Sequence, residues 1–373
     1  MNKSYLLLLV FYFLYSNILG QSRPKDYGIN IGVMKPGVLN AITDVAGVSV
    51  GHLTKIEGND IRTGVTAIIP HNGNLFQQKV PAAVFVGNGF GKLAGTTQIE
   101  ELGNIESPII LTNTLSVAAG IEGVIKYTLT QEGNESVQSV NAVVGETNDG
   151  LLNDIRGMHI GPDDVLKAIE NASQNETSEG NVGAGTGTVC FGFKGGIGTA
   201  SRKLPESLGG YTLGVLVQSN FGGVLQINGA HIGQALEQYT FKNQLESADG
   251  SCMIVVATDA PVGERNLKRM AKRAMMGLAK TGGIASNGSG DYVIAFSNNQ
   301  KNLISHQQKS LSLSVKAELR NDDMTALFLA TIEATEEAII NSLFAAEDMT
   351  GKGGRTVKAL PIEKVLEILK KSK

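Results

Sequence analysis

The chain has 373 residues, of which 42% are hydrophobic and 18% charged, and its formal net charge is −3. This balance is typical of a globular protein with a large core, and it excludes a bulk electrostatic attraction to nucleic acid or anionic membranes. The 46 glycines are scattered between apolar runs without a collagen-like period, which indicates many tight turns. No Lys/Arg-rich run with interleaved aromatic residues is present, so we predict no nucleic-acid partner.

The first twenty residues differ from the rest of the chain. Lys3 precedes an apolar stretch over 5–15, and the small residue Gly20 closes the segment. A positive start, a short apolar run and a small residue at the exit are typical of a secretory signal, whereas an uncleaved anchor is the alternative. We therefore expect removal of residues 1–20 and a mature chain, 21–373, that is periplasmic or secreted and does not contact the membrane.

Short apolar runs rich in β-branched residues recur along the mature chain, each bounded by Gly, Asn, Asp or Pro. Such runs are typical of buried strands. The predicted strands cover residues 65–69, 83–86, 108–111, 140–144, 211–217, 253–257 and 292–296.

Three segments have apolar residues at helical spacing: 261–280, 322–346 and 361–369. Asp259 with Pro261 marks the predicted start of the first helix, and the glycines at 282–283 mark its end. Strands and helices are mixed throughout the chain, so we predict a layered α/β class, with residues 21–373 forming a single catalytic domain.

Two glycine-rich segments resemble nucleotide-binding loops but fail the pattern. The segment 87–92 is followed by Leu93, where a phosphate loop needs Ser or Thr. The segment 183–187 is followed by Thr188, where a dinucleotide fingerprint needs Gly. We interpret both as close-packed turns.

The remaining titratable residues give no metal-binding pattern. The five histidines show no zinc-type spacing, and Cys190 and Cys252 are too few to form a disulfide framework. We predict two buried free thiols, no metal site and no cofactor.

The polar segment 286–291 is the strongest candidate for chemistry. It is not a Gly-x-Ser-x-Gly elbow, because Asn287 replaces the first glycine and a strand follows where an elbow needs a helix. It suits a nucleophile made by cutting the Gly288–Ser289 peptide. The new α-amine, with an ordinary pKa of about 7.7–8.0, then lies beside the hydroxyl and can act as its base. An ordinary polar turn is the alternative.

Together with the rest of the mature chain, the segment 286–291 resembles the family of L-aminopeptidase/D-Ala-esterase/amidases and β-peptidyl aminopeptidases. The fold of this family is related to that of ornithine acetyltransferases. The similar stretches follow one another in the same order along nearly the whole mature chain. They are residues 40–48, 62–66, 108–114, 144–150, 182–187, 193–199, 217–222, 257–261 and 333–338.

The resemblance implies an αββα sandwich and a precursor that cleaves itself into chains 21–288 and 289–373. It also implies a homo-oligomer, often a tetramer, that releases N-terminal residues from small peptides, amino-acid amides or esters. Ser289 then matches the nucleophile and Gly288 the residue before the cut. Asn220 is the candidate oxyanion donor, an interaction that can be worth about 3 kcal/mol in the transition state.

The family also uses a Ser-x-Glu pair on a later helix to orient the nucleophile. The alignment places Ala334 and Glu336 there, so the carboxylate is kept and the serine is not. Thr331 or Thr335 are the alternatives for the missing hydroxyl, and Glu333, one turn earlier, is the rival carboxylate.

The predicted substrate pocket contains Glu146, which we expect to hold the free amino group of the substrate. A pocket tyrosine of some relatives has no clear equivalent here, and Phe191 or Asn148 are the candidates for its place. Two other functions remain open at this stage. One is an acyltransferase of the ornithine acetyltransferase type, although such enzymes favour a threonine nucleophile. The other is a catalytically silent binding protein with the same fold.

Overall fold

The computed structural model describes residues 22–242, 250–306 and 316–372, so the predicted signal segment 1–20 lies outside the described residues. The strands, in chain order, are β1 (Ser49–Glu57), β2 (Ile61–Ile69), β3 (Gln78–Gly89), β4 (Leu93–Ala94), β5 (Asn104–Ile105), β6 (Ile109–Asn113), β7 (Val143–Thr147), β8 (Val189–Cys190), β9 (Phe193–Lys194), β10 (Gly196–Lys203), β11 (Thr212–Asn220), β12 (Gly250–Thr258), β13 (Ser289–Ser297), β14 (Ile304–Ser305), β15 (Met349–Thr350) and β16 (Thr356–Val357). The helices are α1 (Thr96–Leu102), α2 (Val117–Leu129), α3 (Pro162–Glu170), α4 (Ile232–Ala235), α5 (Glu264–Lys280), α6 (Thr325–Phe344) and α7 (Ile362–Lys371).

Most of the strands form two sheets. The first has the order β1-β2-β6-β7-β4, and the second has the order β10-β11-β12-β13-β3-β14, with β5 also paired to β3. Neighbouring strands in both sheets are antiparallel except for the pairs β6–β7 and β12–β13. The parallel pair β12–β13 is joined by α5, which a parallel crossover requires.

Successive apolar side chains along each strand point to opposite faces of the sheet, and this assigns them to different layers of the core. On β12, Ile254 and Val256 pack toward α5 and α6, whereas Met253 and Val255 pack into the core between the two sheets. The first sheet shows the same period of two, with Ile68 between the sheets and its neighbours against α2 and α3. Helices thus cover both outer faces, and the four layers form the predicted αββα sandwich.

The apolar faces of α5 and α6 are those expected from helical spacing. Every residue predicted to point inward is buried in the core against the second sheet: Leu267, Met270, Ala271, Ala274, Leu278, Leu327, Ala330, Ala334, Ala338 and Ile339. Within the described residues, no helix is both long enough and apolar enough to cross a membrane.

Two local predictions need correction. Helix α5 begins at Glu264 after Gly263, and Asp259 instead accepts a hydrogen bond from Thr212 N at 2.8 Å, which joins β12 to β11. Gly87 lies inside β3 and not in a turn. The position favours glycine because a Cβ there would be 2.5 Å from Met275 Cε of α5. Cys190 and Cys252 are buried free thiols, as predicted.

A buried ion cluster fastens the N-terminal segment to α6. Arg202, at one end of β10, pairs with Glu333 at 3.0 Å and with Glu337 at 2.6 Å. Arg202 also donates to Ile31 O at 2.6 Å, and Glu333 accepts from Val33 N at 2.9 Å. Each charge is matched by opposite charge or backbone, which is the condition under which buried ions are tolerated.

Candidate active site

Four strands of the second sheet meet at one edge of the molecule. β11 ends at Asn220, which lies opposite Ser251 of β12, and β12 and β13 begin side by side with Gly250 opposite Ser289. β3 ends at Gly89, opposite Gly290. This register brings Asn220 and Ser289 to the same edge, although 69 positions separate them in the chain.

The chain reaches Ser289 through a tight turn. Ser289 N donates to Ser286 O at 2.9 Å, which closes a four-residue turn containing Asn287 and Gly288. Asn88 of β3 fastens this turn from the side. Its Nδ2 donates to the carbonyl oxygens of Ser286 at 2.9 Å and Asn287 at 3.3 Å, and also makes a short contact with Ser289 O.

The hydroxyl of Ser289 is buried and bonded to a carboxyl group. Ser289 Oγ donates to Asp291 Oδ1 at 2.9 Å, since residues i and i+2 of β13 share one face of the strand. Burial raises the pKa of Asp291 to about 6, although the hydrogen bonds from Ser289 and from the backbone of Cys252 act in the opposite direction. Asp291 Oδ2 is buried without a well-placed hydrogen-bond donor among the described residues.

Asn220 is held so that its amide group faces the site. Its Oδ1 accepts from Val189 N at 2.9 Å, and its Nδ2 donates to Asn148 O at 3.1 Å. The bond to Val189 fixes which end of the amide carries the N–H groups. One N–H of Nδ2 is bonded to Asn148, and the other has no partner among the described hydrogen bonds.

A cavity of about 740 Å³ opens at this edge, and Gly288 and Asn220 belong to its wall. Glu146 also lines it and is only 2% exposed. Its Oε1 accepts from Lys92 N at 2.9 Å, and its Oε2 accepts a short hydrogen bond from the hydroxyl of Thr114. Two neutral donors therefore orient the carboxylate, and the half-exposed ammonium of Lys92 lies 3.9 Å from its Oε1. The carboxylate faces a space large enough for a short peptide.

The two candidates for the missing pocket tyrosine both line the cavity. Phe191 is buried and packs edge-on against Phe221, with ring centroids 5.0 Å apart. Its φ of 54°, followed by 78° at Gly192, belongs to the two-residue hairpin between β8 and β9. A left-handed backbone costs a non-glycine residue about 1–2 kcal/mol. Asn148 is exposed, and its side chain accepts from Gly150 N at 2.9 Å.

The described contacts of the predicted helix residues are with groups other than Ser289, and Glu336 Oε2 is buried without a well-placed hydrogen-bond donor among the described residues. Glu336 forms an ion pair with Lys280 at 2.5 Å, and Glu333 belongs to the Arg202 cluster. The hydroxyls of Thr331 and Thr335 donate to backbone carbonyls one turn earlier in α6, at 2.7 and 2.8 Å. Among the described contacts, the partner of the Ser289 hydroxyl is Asp291. The role predicted for Glu336 stays a prediction.

Asp291 and Asn88 were not among the site residues predicted from the sequence. A signal for Asp291 was present, because it stands two positions after Ser289 and a strand that began at the serine would place both on one face. No such signal exists for Asn88, which reaches the site only through the pairing of β3 with β13. In the described part of the chain, no group of three His, Cys, Asp or Glu side chains is arranged to hold a metal ion.

Comparison with known proteins agrees with this architecture. The chain matches Peptidase family S58 over residues 40–357. It is 41% identical over 371 residues to the β-peptidyl aminopeptidase BapA of Sphingosinicella microcystinivorans. The aligned region covers 94% of this chain and 92% of that protein.

Two solved structures superpose on 94% of the chain, each with a TM-score of 0.86. One is the PH0078 protein from Pyrococcus horikoshii OT3, which is 46% identical and of which 99% is covered. The other is the L-aminopeptidase D-Ala-esterase/amidase from Ochrobactrum anthropi, described as a prototype for the serine aminopeptidases with a variant of the Ntn hydrolase fold. It is 36% identical, and 98% of it is covered.

The αββα layers with a site at the strand edge define a hydrolase of the N-terminal-nucleophile class. The chain belongs to peptidase family S58, and its enzymatic activity is that of an aminopeptidase. The family, the fold class and the enzyme class predicted from the sequence are thereby confirmed.

Proposed function

We propose that the chain cuts its own Gly288–Ser289 peptide and that Ser289, as the new N-terminus, is the nucleophile of the aminopeptidase. The observation that carries this proposal is the junction of β12 and β13. Ser289 is the first residue of a central strand, its hydroxyl is bonded to a carboxyl group, and the preceding Gly288 lines the cavity. A cut at this point opens the hydroxyl to the cavity.

Turnover then uses two groups at the strand edge. Ser289 Oγ attacks the carbonyl carbon of the substrate while the α-amine of the same residue takes the proton. The free N–H of Asn220 stabilises the oxyanion. The amine returns the proton to the leaving group, and water hydrolyses the acyl-enzyme.

Glu146 is the proposed binding group for the substrate's ammonium. Its burial at the cavity wall supports this role, because a charge-assisted hydrogen bond in such surroundings contributes about 1.5–3 kcal/mol. The likeness to β-peptidyl aminopeptidases supports a β-amino acid as the released residue, with small peptides, amides and esters as the substrate class.

Export and assembly belong to the same proposal. The pattern of residues 1–20 supports removal of a signal and work in the periplasm or outside the cell. The family resemblance supports a homo-oligomer, a tetramer of two-chain protomers. N-terminal sequencing of the exported protein and light scattering of the purified enzyme test both points, and an uncut N-terminus or a monomer would contradict them.

The decisive experiment compares the wild type with Ser289→Ala. Denaturing gels of the wild type should show two bands, and N-terminal sequencing of the smaller band should begin at Ser289. The variant should stay as one folded chain and lose activity by at least about 10⁴-fold, as expected when a nucleophile is removed. A variant chain that is still cut at this bond, or that still turns over substrate, would refute the proposal.

A panel of p-nitroanilides then tests the substrate class. Amides of β-homoalanine, L-alanine and D-alanine differ only in the first residue, and the N-acetylated β-homoalanine amide lacks the ammonium. We expect the fastest turnover for the free β-amino amide and none for the acetylated one. Glu146→Gln should raise KM for the free amine by about 10–100-fold, which corresponds to the loss of a charge-assisted hydrogen bond.

A further inference from the structure

Self-cleavage lacks the proton acceptor that turnover uses, because the uncut chain has no free α-amine at Ser289. In the uncut chain the nitrogen of Ser289 is an amide, and its N–H donates to Ser286 O. The lone pair of an amide nitrogen is delocalised into the peptide bond, so it cannot accept a proton. A serine hydroxyl is a weak nucleophile without a base beside it. The first cut therefore needs a proton acceptor different from the one that serves the mature enzyme.

Asp291 stands where that acceptor is needed. The separation of 2.9 Å between Ser289 Oγ and Asp291 Oδ1 lies within the range for direct proton transfer. Asp291 is only 1% exposed and forms no ion pair with any residue of the described segments. Its oxygens are therefore not committed to a cation, in contrast to the carboxylates of the Arg202 cluster.

The surroundings of Asp291 favour a base that is stronger than a surface carboxylate. Burial raises its pKa to about 6, so it is still ionised at neutral pH. The titratable groups whose pKa is raised by burial and further by the charge of Asp291, and which therefore lie near it, are the thiol of Cys252 on β12 and the phenol of Tyr292 on β13. Burial raises the pKa of both, so both are neutral near pH 6. In the helix layer, Lys280 and Glu336 pair with each other.

We propose that Asp291 is the general base of self-cleavage, an inference that rests on the proposed cut between Gly288 and Ser289. Asp291 takes the proton of Ser289 Oγ while this oxygen attacks the carbonyl carbon of Gly288. The proton passes to the Ser289 nitrogen as the peptide C–N bond breaks, which leaves an ester between Gly288 and Ser289 Oγ. One water hydrolyses the ester, giving the Gly288 carboxylate and the free hydroxyl. The released amine then serves as the base for turnover.

Asn88 is the positioning residue of the same step. Its amide nitrogen binds carbonyl oxygens on both sides of the bond to be cut, those of Ser286, Asn287 and Ser289. It also lies opposite Asp291 in the pairing of β3 with β13. Asn88 therefore holds the turn against the strand while the hydroxyl moves toward the Gly288 carbonyl, and it takes no proton itself.

The test follows the first-order conversion of full-length chain into two fragments. A short pulse of cell-free synthesis yields labelled uncut chain, which is diluted into buffers from pH 5 to 8 and sampled on denaturing gels. The wild-type rate should rise with pH through about 6, where Asp291 ionises, and then level off. Asp291→Asn should slow the cut by at least about 100-fold and remove this pH dependence. Asn88→Ala should slow the cut at every pH and keep the wild-type midpoint.

The outcomes separate this inference from the function on which it rests. A wild-type chain that stays uncut, or is cut elsewhere, refutes the proposed function itself. A wild type that is cut before Ser289 while Asp291→Asn is cut within threefold of its rate, with the same pH profile, overturns only the role of Asp291. Resistance to added protease reports whether the variant has folded. If it has not, Asp291→Glu decides, because a displaced carboxylate should shift the pH midpoint, and an unshifted midpoint would overturn the inference.

Discussion

Two clusters with buried carboxyl groups, the Arg202 cluster and the Ser289–Asp291 pair, lie toward opposite ends of the second sheet, and they differ in how completely their carboxyl groups are partnered. At one end Arg202 binds Glu333, Glu337 and the backbone of the N-terminal segment. At the other end, Asp291 accepts a hydrogen bond from the Ser289 hydroxyl, and its second oxygen has no well-placed donor among the described residues. We call the Arg202 cluster closed, because its carboxylates are paired with a cation, and the Ser289–Asp291 pair open, because Asp291 can still bind a proton.

The difference separates structural charge from reactive charge. A buried ion pair whose hydrogen bonds are complete holds elements in register, and removing one partner leaves an unmatched charge. A buried carboxyl group without a counter-ion has a raised pKa and can exchange a proton near neutral pH. We therefore expect changes in the Arg202 cluster to alter stability, and changes at the strand edge to alter rates.

The largest expected effect is on the closed cluster. Arg202→Met removes the charge that Glu333 and Glu337 share and should lower the free energy of unfolding by about 3–5 kcal/mol. Urea denaturation measures this change. The activity of the protein that remains folded should stay within about threefold of the wild type, because Arg202, Glu333 and Glu337 do not line the cavity.

Lys358→Ala is the matched control for that substitution. Lys358 pairs with Asp348 at 2.7 Å, but both side chains are more than half exposed, so the change should be within about 0.5 kcal/mol. Equal effects of the two substitutions on stability would break the distinction between closed and exposed charges.

The next effect is on rate. Asn220→Ala removes the proposed oxyanion donor and should lower kcat by about 10²–10³-fold in the mature enzyme, with a smaller change in KM. The loss of its hydrogen bonds to Val189 and Asn148 should cost about 1–3 kcal/mol of stability at most. A variant that lost only stability and kept kcat would place Asn220 among the structural residues.

The smallest effect concerns a buried group outside both clusters. His52 of β1 lies near Thr66, and burial lowers its pKa to about 4. The unfolded chain takes up a proton near pH 6.5 and the folded chain does not, so this group's contribution is present above pH 6.5 and is lost as the pH falls toward 4. Between pH 7 and pH 5 the loss should be about 2 kcal/mol.

Unfolding curves of the wild type and of His52→Asn at the two pH values measure that loss. The variant should lose less stability on acidification, since asparagine does not titrate. An identical loss in both proteins would assign the acid sensitivity to other groups.

Much of the fold could be predicted from local patterns, because burial imposes a period on the chain. The inward residues of α5 and α6 are correct one by one, and each predicted strand overlaps an observed one. The sequence pattern missed β1, β10, α2 and α3 entirely. Among the elements that were predicted, the errors lie at the ends, which strand pairing decides. The strand predicted from Tyr292 begins at Ser289, since Gly250 of β12 extends the ladder to that residue. The strand predicted over 140–144 is shifted to Val143–Thr147 by its pairing with β6.

The candidate site likewise contains residues that could be predicted from the sequence and residues that could not. Asn220 and Glu146 could be proposed from the sequence because each lies in a short stretch that resembles a known family, and Ser289 because it follows Gly288 in the polar segment 286–291. The surroundings of Glu336 could not be proposed, because a helix face packed against α5 can be assigned to a partner such as Lys280 only when the two helices are placed. The bond between Ser289 and Asp291 needed the strand to begin at the serine, and Asn88 needed β3 beside β13.

The sequence by itself determined the family, the layered class and the enzyme class, since these depend on residue types, on apolar periods and on stretches a few residues long. Only the tertiary structure decided which groups surround Ser289, the proposed nucleophile. Hydrogen bonds and burial depend on strand register between segments as far apart as Asn88 and Ser289, and no local pattern records that register.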